Sequence, residues 1–140
     1  MDEADEADQG SGSVRDSAAA WLRQNERTFV PGWIKMVRSR GGDRDRQLTT
    51  KELERQFFVD FYGALALAVE RDAQEPVAEV IERIAVTRVE QEFQLEETLD
   101  ILFLLKELIW ESLLQSYSAE GALSRMRLIE PTFNRCVQLM

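Results

Sequence analysis

Residues 95–117 read LEETLDILFLLKELIWESLLQSY, and this stretch decides how the fold is interpreted. It predicts one long helix that is apolar over much more than one face. Four acidic side chains fall in one narrow polar strip, which consists of Glu96, Asp100, Glu107 and Glu111. A helix that covers a single core needs only one apolar stripe, so the excess of apolar surface requires an explanation.

Two apolar seams run along this predicted helix. One seam consists of Thr98, Leu102, Leu105, Ile109 and Leu113. The other consists of Leu99, Phe103, Trp110, Leu114 and Tyr117. A helix that is apolar nearly all round lies at the centre of a large domain or is shared between subunits. Because a chain of 140 residues does not easily bury every face, we favour sharing between two copies. Spacing alone leaves open which seam faces the second copy.

The rest of the chain also predicts helices, and hence an all-α fold. A first helix begins near Val14, is kinked or restarted at Pro31, and ends before the Gly41-Gly42 pair. Residues 1–13 are acidic and then rich in Gly and Ser, so they predict a disordered tail. Residues 14–140 predict a single domain.

Capping signals place the later helices. Thr49 and Glu52 form a predicted capping box for a helix that ends near Asp72. Pro76 suits the first turn of the next helix, which should end near residues 88–90. Ser118 is the predicted N-cap of a last helix over residues 119–140, which Pro131 should kink or split. That helix stops within an apolar pattern, so we expect it to continue into an output domain.

Composition excludes several classes of function. The net charge of −9 is unfavourable for nucleic-acid binding, which needs clustered basic residues. The longest apolar run is too short to span a membrane, and the acidic N-terminus does not resemble a signal peptide, so a cytoplasmic location is expected. Histidine is absent, so the common general base and the histidine metal and haem ligands are missing. We expect no enzymatic activity and no cofactor.

Two further features could bind a ligand, although packing is the simpler interpretation of both. Cys136 is the single cysteine and is expected to be a buried structural thiol, although a thiolate could ligate haem. An aromatic cluster could form part of the core or line an apolar pocket for a small molecule such as a fatty acid. The candidate pocket residues are Phe57, Phe58, Phe61, Tyr62, Leu65, Ile81 and Ile84.

The order of these elements resembles the N-terminal domain of RsbRD-type RsbT co-antagonists. The resemblance covers residues 21–115 and rests on Trp21-Leu22, on Trp33 after a kink and on the helix over residues 53–69. It continues through a helix ending near Arg88, the turn FQLEE at residues 93–97 and the long apolar helix. It implies a non-haem, globin-like fold that is dimeric through its last two long helices. The absence of histidine agrees with the non-haem character.

The resemblance also implies a function. Members lie at the N-terminus of stressosome proteins or sensor kinases and pass a signal to a C-terminal output domain. We therefore expect a homodimeric sensor domain, with a small-molecule binding module or a stand-alone helical adaptor as alternatives. The expected interface residues are Leu99, Leu102, Phe103, Leu105, Ile109, Trp110, Leu113, Leu114, Tyr117, Met126, Ile129 and Phe133.

Overall fold

The structure, a computed structural model, describes residues 11–40, 58–92 and 95–140. The secondary structure of these ranges is helical, which confirms the all-α prediction; the globin-like arrangement stays a prediction. Six helices are described: α1 (Ser11–Gln24), α2 (Glu26–Arg40), α3 (Val59–Arg71), α4 (Glu75–Glu90), α5 (Leu95–Ser116) and α6 (Ala119–Leu139). The predicted capping box at Thr49 and Glu52, the side chain of Phe57 and residues 1–10 of the acidic tail lie outside the described residues.

The first break in the chain lies at Asn25 and not at Pro31. The Asn25 backbone N–H donates to Trp21 at 3.2 Å, and its carbonyl oxygen accepts from Phe29 at 2.7 Å. The N–H of Asn25 therefore makes the last hydrogen bond of α1, and its carbonyl oxygen accepts one of the first hydrogen bonds of α2. Pro31 lies inside α2. The chain therefore does not restart at this proline, and the other predicted outcome, a kink in the helix, stays a prediction.

Local signals place most other helix ends correctly. α3 ends at Arg71, and its C-cap Asp72 adopts the left-handed conformation with φ 52° and donates its N–H to the Ala68 carbonyl. Pro76 lies in the first turn of α4. The Ser118 side chain accepts a hydrogen bond from the Gly121 N–H at 3.2 Å, so the predicted N-cap of α6 is confirmed. α6 is one helix from Ala119 to Leu139 with Pro131 inside it, so the chain is not split there.

α6 lies at the centre of the packing. It contacts α1, α3, α4 and α5, and α5 also packs on α2. Two buried hydrogen bonds connect helices that are distant in sequence. The Trp33 indole of α2 donates to the Ile101 carbonyl of α5 at 2.7 Å, and the Tyr62 hydroxyl of α3 donates to the Leu22 carbonyl of α1 at 2.6 Å. Within the described ranges, no helix has the length and apolarity that a membrane span requires.

Candidate functional site

The structure settles which seam of α5 belongs to the protein's own core. Thr98, Leu102, Leu105, Ile109 and Leu113 are all buried, with exposed fractions of at most 4%. They face α2 and α6, the helices on which α5 packs. This seam therefore holds α5 in the fold and contributes no accessible surface.

The second seam remains open to solvent. Phe103 is 46% exposed and Leu114 is 59% exposed, whereas Leu99 and Trp110 are half-buried. Tyr117, the last member, is also half-buried; its ring lies 6.3 Å from that of Trp21 and beneath the Arg125 guanidinium. The open part of the seam thus runs from Leu99 to Leu114.

α6 extends this open surface. Leu123 is 45% exposed and Val137 is 42% exposed, and each lies seven residues from Glu130, so all three share one side of the helix. Two contacts across the helix pair bring that side next to the open seam of α5: the Lys106–Glu130 ion pair at 3.0 Å and the edge-on contact between the Trp110 and Phe133 rings. We name the combined surface the hairpin face, and it comprises Leu99, Phe103, Lys106, Trp110 and Leu114 of α5 with Leu123, Met126, Glu130 and Val137 of α6.

The centre of the hairpin face carries one ion pair. The Lys106 side chain is 24% exposed and that of Glu130 is 48% exposed. The Lys106 ammonium also lies 5.4 Å from the centre of the Trp110 ring, so its charge sits over an aromatic surface. Apolar side chains lie on both sides of the pair along the two helices, and on α6 the exposed Arg127 and Asn134 lie between them. The face is thus mainly apolar with a charged centre.

Half of the expected interface residues are inaccessible in this fold. Leu102, Leu105, Ile109, Leu113, Ile129 and Phe133 are buried at 0–2% exposure within the protein's own core. They are covered by the protein's own helices, so contact with a second copy would require a rearrangement of that core, and their place in an interface stays a prediction. The accessible members are Leu99, Phe103, Trp110, Leu114, Tyr117 and Met126.

The aromatic cluster packs as core. Phe58, Phe61, Tyr62, Leu65, Ile81 and Ile84 are all buried. The rings of Phe58 and Phe61 lie 4.0 and 6.0 Å from the Trp33 ring, so protein side chains fill these contacts. Burial raises the pKa of the Tyr62 hydroxyl, which is consistent with a neutral donor to a backbone carbonyl. An open cleft of about 500 Å³ lies elsewhere, on α2, and is lined by Pro31, Ile34, Lys35, Arg38 and Ser39.

Two buried arginines near the ends of α5 were missed by the sequence interpretation. Arg88 is 2% exposed, and its Nε donates to the Thr98 hydroxyl at 2.8 Å. Arg125 is 1% exposed, packs its guanidinium 3.9 Å from the Tyr117 ring centre and donates to Ser17 at 3.2 Å. Each lies on the apolar side of its helix, four residues from a buried isoleucine, and this spacing could have identified both.

Cys136 is buried with no exposed surface, as predicted for a structural thiol. Desolvation raises the pKa of the thiol to about 12. Since the thiolate is the nucleophilic form, a thiol with this pKa is chemically inert near neutral pH. In the described ranges, no group of three or more His, Cys, Asp or Glu side chains is arranged to hold a metal ion.

Comparison with known proteins identifies the family. Residues 27–130 match the family described as the RsbT co-antagonist protein rsbRD N-terminal domain. No curated protein and no solved structure gives a significant match. The matched range covers most of the chain and includes nearly all of α2, the whole of α5 and much of α6. The chain therefore belongs to the RsbT co-antagonist protein rsbRD N-terminal domain family.

Proposed function

We propose that this chain is a non-enzymatic signal-input domain that pairs with a second copy through the hairpin face and passes a signal to an output domain. The family membership supports a stressosome-type sensor role. The hairpin face supports the pairing. The paired helices α5 and α6 would carry the signal, because they form both the core of each copy and the contact between copies.

The observation that carries the proposal is the exposure of large apolar side chains in one continuous region. Phe103, Leu114, Leu123 and Val137 are each more than 40% exposed on adjacent helices. Burying apolar surface releases roughly 25 cal/mol per Å², so covering these side chains favours association. Contiguous exposed apolar surface of this kind marks interaction sites, whereas single exposed apolar residues need no explanation.

A second copy of the chain is a suitable partner for this face. The face is formed by two adjacent helices, so two copies brought together about a two-fold axis form a four-helix bundle. In that bundle the apolar side chains of α5 and α6 become a shared core. The protein's own seam of α5 stays inside each copy, so pairing requires no refolding.

The contacts of α6 suggest how a signal could reach the interface. α6 packs on α1, α3 and α4 as well as on α5. Arg125 adds a polar link, because its guanidinium joins Ser17 of α1 to the Tyr117 ring at the end of α5. A ligand or modification that changes the packing of α1, α3 or α4 would therefore bias the position of α6 and alter the paired arrangement.

Sedimentation velocity over a wide concentration range tests the pairing. We expect the unmodified chain to form a dimer. Phe103→Glu or Leu114→Glu places a charge in the apolar contact, and we expect each to weaken the dimer by roughly ten-fold or more. The matched control is Val86→Glu, because Val86 is 61% exposed on α4 and lies outside the hairpin face.

Two outcomes would contradict the proposal. An unmodified chain that remains monomeric at high concentration would remove the dimer. A dimer that survives both Phe103→Glu and Leu114→Glu would place the contact elsewhere. Circular dichroism of each variant establishes that it keeps its helical fold, and little effect of either substitution on the monomer is expected because both residues are surface-exposed.

A further inference from the structure

We propose that Lys106 and Glu130 are the specificity-determining residues of the hairpin face. Lys106 of each copy pairs with Glu130 of the other copy, and these contacts select copies that carry the same two charges. This inference rests on the proposed pairing and adds to it which chains pair and in which arrangement. It is carried by the position of the two charges within a mainly apolar surface.

The two charges occupy the middle of the face. Lys106 lies on α5 between Phe103 and Trp110, and Glu130 lies on α6 midway between Leu123 and Val137. Their 3.0 Å contact places a positive and a negative group side by side, one on each helix. Other charges lie near the pair: Arg127 is exposed three residues before Glu130 on α6, and Glu107 is exposed and pairs with Arg40 of α2 at 3.0 Å. Covering the face would therefore desolvate this pair more than the flanking charges.

Side-by-side opposite charges distinguish between two symmetric arrangements. If the two-fold axis runs between the helices and parallel to them, α5 of one copy faces α6 of the other, and Lys106 meets Glu130 of the second copy. If the axis crosses the helices, α5 faces α5 and Lys106 meets Lys106. Like charges at an interface are repulsive, and opposite charges are attractive and gain strength as water is removed. The charges therefore favour the arrangement in which α5 faces α6.

In this arrangement the two charges determine which chains can pair with this one. A chain with the same fold and apolar seams but other charges at these two positions would bury unpaired or like charges on pairing. Apolar contacts supply the affinity for any chain of this shape, whereas the charges penalise the wrong partner. In coiled coils a single polar residue within the apolar seam likewise specifies register and oligomeric state.

A charge swap tests the inference. Lys106→Glu and Glu130→Lys alone each place like charges across the interface, and we expect each to raise the dimer dissociation constant by roughly ten-fold. The double variant restores opposite charges both within a copy and between copies, so its dissociation constant should return to within about three-fold of the unmodified value. Sedimentation velocity measures all four proteins.

Mixing separates contacts between copies from the contact within a copy. The unmodified chain and the double variant, one of them isotope-labelled, are combined, and native mass spectrometry counts mixed dimers. Every copy in the mixture keeps its own internal ion pair, so only the contacts between copies differ. Without selection about half of all dimers would be mixed. We expect mixed dimers to fall to roughly a tenth of the total or less, since both inter-copy contacts become like-charged.

The matched control is the Asp60–Arg83 pair, which joins α3 to α4 at 3.2 Å away from the hairpin face. Its swap, Asp60→Lys with Arg83→Glu, should leave mixed dimers at the statistical proportion. Statistical mixing of the Lys106 and Glu130 double variant would overturn the inference while leaving the proposed pairing intact. An excess of mixed dimers would also overturn it, because α5 would then face α5. A monomeric unmodified chain would instead overturn the proposed pairing and this inference together.

Discussion

At the scale of single residues, burial determines the chemistry that the side chains can perform. Tyr62 has its hydroxyl on a backbone carbonyl, and Cys136 lies fully within the core. Desolvation raises the pKa of both groups, so both are neutral near pH 7. Sequence reasoning predicted the burial of Cys136 because a single free cysteine is usually a buried structural thiol. The hydrogen-bond partner of Tyr62 depends on α1 and could not be read from local sequence.

The raised pKa of Cys136 leads to a testable difference in reactivity. At about pH 8 the folded thiol is almost entirely protonated, so iodoacetamide should modify it much more slowly than the same residue in urea. A suitable control carries Cys136→Ala with Ser116→Cys, because Ser116 is exposed at the end of α5 and should react at the rate of a free thiol. Rapid modification of Cys136 in the folded chain would show that the core around it is open.

The same pKa gives a direction for the dependence of stability on pH. An unfolded thiol has a pKa of about 8.5. Burial raises the pKa of Cys136 to about 12, which is above the unfolded value. The contribution of this group is therefore fully present below about pH 8.5 and is lost as the pH rises toward 12. Cys136→Ser would remove most of this alkaline sensitivity, and urea unfolding at several alkaline pH values measures the difference.

At the scale of helices, local signals predicted most of the element ends. The Pro76 start of α4 and the Ser118 cap of α6 act on their immediate neighbours, so sequence is sufficient to locate them. The break at Asn25 was missed because Pro31 is the stronger local signal. The continuity of α6 through Pro131 was left undecided because packing against four other helices can maintain a helix that a proline weakens.

Sequence alone could not predict which seam of α5 faces the protein's own core. Both seams have the same helical period and similar apolar side chains, so the pattern is equally satisfied by either orientation. The fold decides between them, because α2 and α6 cover the seam that includes Leu105 and leave the seam that includes Leu114 open. Four of the expected interface residues on α5 therefore lie in the protein's own core, and their role in an interface between copies stays a prediction.

Alanine substitutions in the two seams should affect different quantities: the stability of the single chain for the buried seam, and dimer formation for the open seam. Leu105→Ala creates a cavity in the core and should lower the free energy of unfolding by about 2–5 kcal/mol at every protein concentration. Leu114→Ala should change the stability of the monomer by no more than about 0.5 kcal/mol. It should instead reduce the concentration dependence of the urea midpoint, because it weakens the proposed dimer. Equal losses for both substitutions at all concentrations would mean that both seams lie in the core.

At the scale of the whole molecule, the proposed function depends on coupling between the core and the hairpin face. α6 connects the two, since it packs on α1, α3 and α4 and also contributes Leu123 and Val137 to the face. Family membership supports a stressosome-type input role for such a domain. In the proposed function, a change in helix packing would itself be the signal that is passed on.

Photo-crosslinking from position 103 tests the proposed pairing most directly. Phe103 is replaced by the photoreactive aromatic residue p-benzoylphenylalanine, which is similar in character and is expected to preserve the fold. Irradiation should produce a covalent dimer, with the cross-link mapped by mass spectrometry to α6 of the second copy. The same residue at position 86, an exposed site on α4, should give none. No cross-link from position 103 at a concentration where the chain is dimeric, or an equal yield from position 86, would contradict pairing through the hairpin face.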